Sequence, residues 1–333
     1  MANLGTIQNI QMDAQRRMEL LVDLGAGGMG HVSLARMHGL GGFQRVVAVK
    51  YLHRHLRADP DFVRMFLDEA RIAARIRHPN VVPTLEVGEA DVLYLVMEYV
   101  EGETLSGLLR GAAQAGQRIP LDIALRVAVD ILAGLEAAHS LQDDDGHPLR
   151  VVHRDVTPQN ILVGADGVTR LLDFGIATAA LRSATTKEGQ LKGKFGYMAP
   201  ELLDGGEASP QTDAYSAGVT IWETLTGEHL FDGKTELDVA AAVLRCVVPP
   251  LKNHRDDVPG EVEAVLRRAL ARDPGDRYAS AAEFGRALEG AGVPLASTRA
   301  VSTFVESTVG VMLESRRAKF AAALKASPAT ATD

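Results

Sequence analysis

Two stretches of this chain combine residue types that could move a charged group onto a hydroxyl. Val151-Val152-His153-Arg154-Asp155-Val156-Thr157-Pro158-Gln159-Asn160 sets an aspartate five residues ahead of an asparagine, and Asp173-Phe174-Gly175 follows a short hairpin pattern. One carboxylate can orient a hydroxyl, while an asparagine and a second aspartate offer the oxygen ligands that a hard divalent cation prefers. A base and a metal platform at this separation suit phosphoryl transfer. Upstream, Gly25-Ala26-Gly27-Gly28-Met29-Gly30-His31-Val32 spaces glycines between two strand-like runs. Such backbone can close over a triphosphate and offer N–H donors. No helix pattern opens at the third glycine and no Lys-Ser/Thr pair follows, which removes the dinucleotide-fold and Walker-loop readings. By itself the motif is only a glycine-rich turn. Lys50 ends the apolar run Val47-Ala48-Val49. A lysine there is usually a surface residue with a buried stem, but Glu69 supplies a reason for it. Glu69 falls on the apolar stripe of the next helical pattern, where an unpaired carboxylate is costly. Asp68 and Arg71 are rotated away by roughly 100° and 200°. Lys50 is the expected counter-ion.

The elements that must position these residues follow from the apolar spacing. Met18 to Tyr51 reads as a small antiparallel sheet, broken at Gly25–Gly30 and at Gly39–Gly42. Asp59-Pro60-Asp61 starts a helix whose stripe is Phe62, Phe66, Ala73 and Ile76. Val92–Tyr99 reads as a buried strand, followed by a charged connector through Glu103. Helices dominate beyond: Leu121–Leu141, an apolar helix over Asp213–Thr226, and two more near Glu261–Ala271 and Ala281–Leu288, with short strands and loops over Val151–Asp173. After Pro294, the residues Val301, Phe304, Val305, Val309 and Met312 predict an amphipathic helix that packs on the larger lobe.

Composition sets outer limits. The 333 residues are 46% apolar and 23% charged, as in an ordinary folded protein, and the formal charge of −8 gives no general attraction to nucleic acid or anionic lipid. Nucleic-acid and membrane partners are not expected. A single cysteine, Cys246, can form neither an internal disulfide nor a structural zinc site, which suits a reducing cytoplasm. No apolar stretch is long enough to span a bilayer.

Taken in order, these motifs, with Ala199-Pro200-Glu201, Asp213, Gly218 and Arg272-Asp273-Pro274-Gly275-Asp276-Arg277, resemble the eukaryotic-like (Hanks-type) serine/threonine protein kinases. The runs His153–Asn160 and Lys192–Glu201 are most similar to bacterial members, those of myxobacteria in particular. The resemblance implies an α+β, bilobal fold: a small antiparallel-sheet N-lobe with one helix and a larger, mainly helical C-lobe. It implies a leader over 1–17, a kinase domain over 18–290 with lobes near 18–97 and 101–290, and an extension over 291–333. It further implies ATP as phosphoryl donor, magnesium with manganese as a substitute, protein substrates, and a transient homodimer for autophosphorylation. Gly25, Gly27, Gly28, Gly30, Val32 and Leu24 would cover the nucleotide, and Lys50, held by Glu69, would bind its phosphates. Ala48, Met97 and Leu162 would line the adenine slot, with backbone hydrogen bonds from Glu98 and Val100. Asp155 would orient the substrate hydroxyl, Asn160 and Asp173 would hold the metal, Glu201 would pair with Arg277, and Asp213 would brace the catalytic loop.

Two positions depart from the family pattern. Serine/threonine kinases usually place lysine two residues after the catalytic aspartate and threonine directly after the glycine that opens the stretch leading to Ala-Pro-Glu. Here those positions hold Thr157 and Lys194. The exchange predicts that the Lys194 ammonium approaches both Asp155 and Thr157. Family members with an arginine at the place of Arg154 commonly use it to hold a phosphorylated activation loop, which points to Thr186, or its neighbour Thr185, with Ser183 and Glu188 nearby. Two other readings compete: a pseudokinase used as a scaffold, and a small-molecule kinase. The first is disfavoured because Lys50, Glu69, Asp155, Asn160 and Asp173 are all present, the second because of the long segment between Asp173 and Glu201.

Overall fold

The computed structural model describes residues 10–11, 17–27, 30–53, 59–89, 92–173 and 192–326. The chain divides into two compact units, one made of residues 1–74, 83–100 and 311–333, the other of 75–82 and 101–310.

The first unit is built on an antiparallel sheet of β1 (Ile10–Gln11), β2 (Arg17–Gly27), β3 (Gly30–His38), β4 (Gln44–Leu52), β5 (Thr84–Glu89) and β6 (Leu93–Glu98), in spatial order β1-β2-β3-β4-β6-β5. Sequence spacing begins the fold near Met18, but Ile10 and Gln11 already pair with Met18 and Arg17. The pleat sends alternate residues to opposite faces. Met18, Ala35, Val47, Val49, Tyr51, Tyr94 and Val96 form a buried cluster on one face. Register puts Val32 opposite Lys50, and Leu34 and Met97 opposite Ala48, on the other. Helix α1 (Pro60–Ala73) starts where Asp59 Oδ1 accepts the Phe62 N–H at 3.2 Å, with Pro60 at the first helical position. Its buried stripe is Phe62, Phe66, Ala70 and Ala73.

The second unit contains α2 (Leu105–Gln114), α3 (Leu121–His139), α4 (Lys192–Phe195), α5 (Pro200–Leu203), α6 (Pro210–Thr226), α7 (Glu236–Arg245), α8 (Gly260–Ala269), α9 (Ala281–Glu289) and a small sheet of β7 (Gly102–Thr104), β8 (Ile161–Gly164) and β9 (Thr169–Leu171). Helix α6 is its axis. Ser209 and Thr212 close a reciprocal cap at its start, Gly227 ends it with φ 76°, and Thr212 through Thr226 are all buried. Helix α3 packs against α6 and α9.

The last helix, α10 (Thr298–Ala326), is tied to this unit along its first turns. Ser302 Oγ donates to the Ala165 carbonyl at 2.6 Å, and the connector before it is held by Ala296 N to Asp122 O at 3.1 Å and Arg126 Nε to Ala296 O at 3.0 Å. A Cβ on Gly167 would lie 1.8 Å from the Thr298 carbonyl oxygen, so only glycine admits the helix here. Val301, Val305 and Val309 are buried as the spacing predicts, but Met312 is exposed and Leu313 is buried instead. The buried residues run in steps of four from Val301 to Leu313, each step turning about 40° around a helix of 3.6 residues per turn, so the buried face winds on to Leu313 and leaves Met312 behind.

Candidate active site

In the smaller unit, the residues expected to meet a nucleotide converge on one sheet face. Val32, Ala48, Lys50 and Met97 share it by register, and Gly25 pairs with Val32. Ladder pairing shifts between Asp23 and Gly25, so Leu24 sits in a bulge that bends the hairpin. Gly25 and Gly30 differ in why they are glycine. A Cβ on Gly30 would lie 1.7 Å from the Tyr51 carbonyl oxygen, whereas one on Gly25 would meet nothing within 4 Å. Gly30 serves the sheet; Gly25 borders open space that a ligand can use. The Glu98 N–H donates to Pro83 O at 3.0 Å, so a hydrogen bond from this residue to a purine edge can come only from its carbonyl. Its carboxylate meets Arg45 at 3.3 Å. Val100 is half-buried at the strand's exit. Gly28 lies outside the described residues, Gly27 only completes the β2 ladder opposite Gly30, and of Glu69 only the backbone in α1 is described, so the expected pair with Lys50 falls outside the description.

In the larger unit the loop before β8 is fixed from α6. Asp213, fully buried, accepts from His153 N at 2.7 Å, Arg154 N at 2.8 Å and His139 Nε2 at 2.7 Å. Thr220 Oγ1 donates to the Val156 carbonyl at 3.1 Å. Three donors satisfy a carboxylate that burial alone would penalise, and in return the chain on either side of Asp155 is held. His153 locks the loop from within. Its Nδ1 accepts the Asp155 N–H at 3.3 Å, so Nε2 carries the proton given to Leu172 O at 3.0 Å. His139 and Thr220 were not legible beforehand, since nothing in their sequence neighbourhood marks them.

Asp155 is buried, and its Oδ2 takes two donors: Asn160 Nδ2 at 2.7 Å and Lys194 Nζ at 2.6 Å. Asn160 Nδ2 also reaches the Asp155 carbonyl at 2.9 Å. With its amine thus committed, the Asn160 Oδ1 is the atom left to ligate a cation, which fits magnesium chemistry. Asp173 is half-buried with φ 41°, and Arg154 is exposed with φ 66°. Left-handed backbone at two non-glycine residues is strain of the kind that folds keep at working sites. Leu162 is half-buried in β8, paired with Thr104 and Arg170. Phe174, Gly175 and the loop residues Ser183, Thr185, Thr186 and Glu188 lie outside the described residues.

Lys194 therefore reaches Asp155 as expected, but it makes no hydrogen bond to Thr157. Thr157 is 3% exposed and its Oγ1 has no hydrogen-bond partner among the described residues. An ionised oxygen attracts an ammonium more strongly than a neutral hydroxyl does, which accounts for the choice. The segment carrying Lys194 is pinned beyond it: Tyr197 N donates to Lys194 O at 3.1 Å, Ser216 Oγ to Tyr197 O at 2.8 Å, and the Tyr197 hydroxyl to Glu223. Burial, then the Glu223 carboxylate, pushes the Tyr197 phenol far up, so it stays a donor. Glu201 and Arg277 form a fork, Nη1 to Oε1 and Nη2 to Oε2, both at 2.8 Å. Arg277 also donates to the carbonyls of Ala271, Arg272 and Gln211 and lies over the Tyr215 ring. Burial pushes the Glu201 carboxyl upward, but the Arg277 fork, a backbone N–H and the Thr212 hydroxyl together more than offset it and leave the group below its usual range.

A sheet unit with a glycine-rich hairpin and a helical unit that suspends an aspartate beside an asparagine define the protein kinase class. The protein kinase domain model matches residues 18–286, and the chain belongs to that family. It is 42% identical over 271 residues to the tyrosine-protein kinase MasK of Myxococcus xanthus, covering 81% of this chain and 42% of MasK. To the serine/threonine-protein kinase PrkC of Bacillus subtilis it is 36% identical over 266 residues, covering 80% of this chain and 39% of PrkC. The chain thus spans about two fifths of these relatives' length. The crystal structure of the Mycobacterium tuberculosis PknI kinase domain superposes with a TM-score of 0.63 at 26% identity, covering 86% of this chain and all of that one.

Proposed function

We propose that this chain is the catalytic domain of an ATP-dependent protein kinase that phosphorylates serine and threonine hydroxyls of proteins. The observation that carries the reading is the Asp155 carboxylate, buried, oriented by Asn160 at 2.7 Å and set on a loop whose main chain α6 holds on both sides. Phosphoryl transfer needs little covalent help from a protein, so positioning and charge are most of the work. Asp155 orients the hydroxyl and takes its proton. Asn160 Oδ1 and Asp173 hold magnesium, or manganese, which when bound neutralises phosphate charge. Lys50, supported by Glu69, holds the nucleotide phosphates. Gly25, Gly27, Gly28, Gly30, Val32 and Leu24 cover them, and Ala48, Met97 and Leu162, with the backbone of Glu98 and Val100, receive the adenine. The left-handed Arg154 receives a phosphate on the activation segment, added within a transient homodimer. Serine and threonine follow the name carried by PrkC, although MasK is named for tyrosine. No helix among the described residues is long and apolar enough to cross a membrane.

Incubating the purified chain with magnesium, γ-labelled ATP and a degenerate peptide library, followed by phosphoamino-acid analysis, tests this. Label in phosphoserine or phosphothreonine is expected. Label in phosphotyrosine alone, in a small metabolite, or nowhere overturns it.

A further inference from the structure

Asp155 shares its Oδ2 with a cation that comes from a different stretch of chain. Lys194 Nζ lies 2.6 Å away on a side chain that remains 29% exposed, and Asp155 takes one of its three N–H donors. Thr157, two residues beyond Asp155, is buried and its Oγ1 has no partner among the described residues. It heads the one-turn helix Pro158–Asn160 without capping it. A buried hydroxyl that neither caps nor bonds is unusual enough to need a reason. The segment around Lys194 is also firmly placed: Gly196 leaves only 3.2 Å between a would-be Cβ and Phe231 O, and Tyr197 is anchored twice to α6. A flexible surface lysine would not need such anchoring.

We infer that Lys194 is a further catalytic residue, delivering from the end of the activation segment the cation that meets the transferring phosphoryl group, with the Thr157 hydroxyl as a second donor to it. The inference rests on the kinase reading above and deepens it. In the step, the substrate oxygen bonds to the γ-phosphorus, its proton passes to the Asp155 carboxylate, and the bond from phosphorus to the β-phosphate oxygen breaks with its electron pair leaving on ADP. In the loose transition state charge spreads over the equatorial oxygens of the moving group and builds on the leaving oxygen, and a preorganised ammonium beside the base stabilises that distribution more than the ground state. Because the cation belongs to the stretch Lys192–Glu201, full activity requires that stretch to be held where α6 anchors it. Substrate positioning and charge stabilisation are then completed together.

Steady-state kinetics on the full chain test the inference, with melting curves as the check on folding. Lys194→Met is expected to lower kcat about 100-fold, as loss of one preorganised donor does elsewhere, with KM for ATP changed less than about threefold and Lys194→Arg recovering part of the loss. Thr157→Val, which only removes the unpartnered hydroxyl, is expected to melt no lower than the parent while kcat falls about tenfold. The double variant Thr157→Lys with Lys194→Thr is expected to exceed the product of its two single effects. Lys194→Met and Thr157→Val with parental kcat, beside an inactive Asp155→Asn, overturn this inference and leave the kinase reading standing. A Lys194→Met effect confined to KM for ATP overturns it too. A parent chain that binds ATP but transfers nothing overturns both.

Discussion

Asp155 works because its neighbours fix both its side chain and its main chain. Asn160 holds its side chain, Asp213 holds the main chain before it, and His153 donates outward to Leu172. At this scale the sequence was informative wherever chemistry is local: Asp155, Asn160, Asp173 and Lys50 are marked by motif spacing, and the fork between Glu201 and Arg277 forms as expected. It was silent on His139, whose bond to Asp213 closes a gap of 74 residues, and on the orphaned Thr157 hydroxyl, because both depend on three-dimensional approach. Lys50→Met is expected to lower phosphotransfer at least a thousandfold, about 4 kcal/mol of transition-state stabilisation, and a purified, folded variant with near-parental turnover contradicts the role. Arg154, exposed and left-handed, bears on control. After incubation with magnesium and ATP, peptide mapping is expected to find phosphate on Thr186 or Thr185, and Arg154→Ala to lose the activation that follows it. Full activity with an unmodified loop excludes this control.

The hairpin and the fork make separable demands as elements. Gly30 has the Tyr51 carbonyl 1.7 Å from a would-be Cβ, so Gly30→Ala must part β3 from β4 and is expected to lower the melting temperature. Gly25 borders open space. Gly25→Ala is expected to change stability by no more than about 0.5 kcal/mol while raising KM for ATP, and an unchanged KM would remove the hairpin from nucleotide binding. The fork ties α5 to the loop after α8. Removing Glu201 strips the buried Arg277 guanidinium of its carboxylate, so Glu201→Ala is expected to cost about 3–5 kcal/mol in denaturant unfolding. Its pH dependence has a definite sign. The Glu201 carboxyl sits below its ordinary value of 4.5, so its contribution is present above that value and fades as pH falls through the lower folded one. Glu201→Gln should therefore flatten the acid limb of stability against pH; an identical limb in parent and variant would show that Glu201 titrates normally. Element type was readable from period and caps, as at Asp59. Element ends were not, since the sheet gains Ile10–Gln11 through pairing that no local period announces.

The larger unit extends beyond the family match, which ends at residue 286, because the start of α10 completes its packing. The amphipathic spacing predicted a packed helix there, and burial of Val301, Val305 and Val309 meets it; burial of Leu313 in place of Met312 shows the buried face winding in steps of four. Burying a valine side chain is worth about 1.5–3 kcal/mol. A chain ending at residue 290 is therefore expected to melt several degrees lower than the parent, and equal melting would make the helix an appendage. Everything in both units that the kinase reading uses comes down to one carboxylate. Calorimetry of magnesium and ATP binding, paired with label transfer from γ-labelled ATP to protein in the same preparations of parent and Asp155→Asn, isolates its contribution. Equal nucleotide affinity with transfer lowered at least about a thousandfold in the variant is the expected result, and comparable transfer by the two proteins would contradict it.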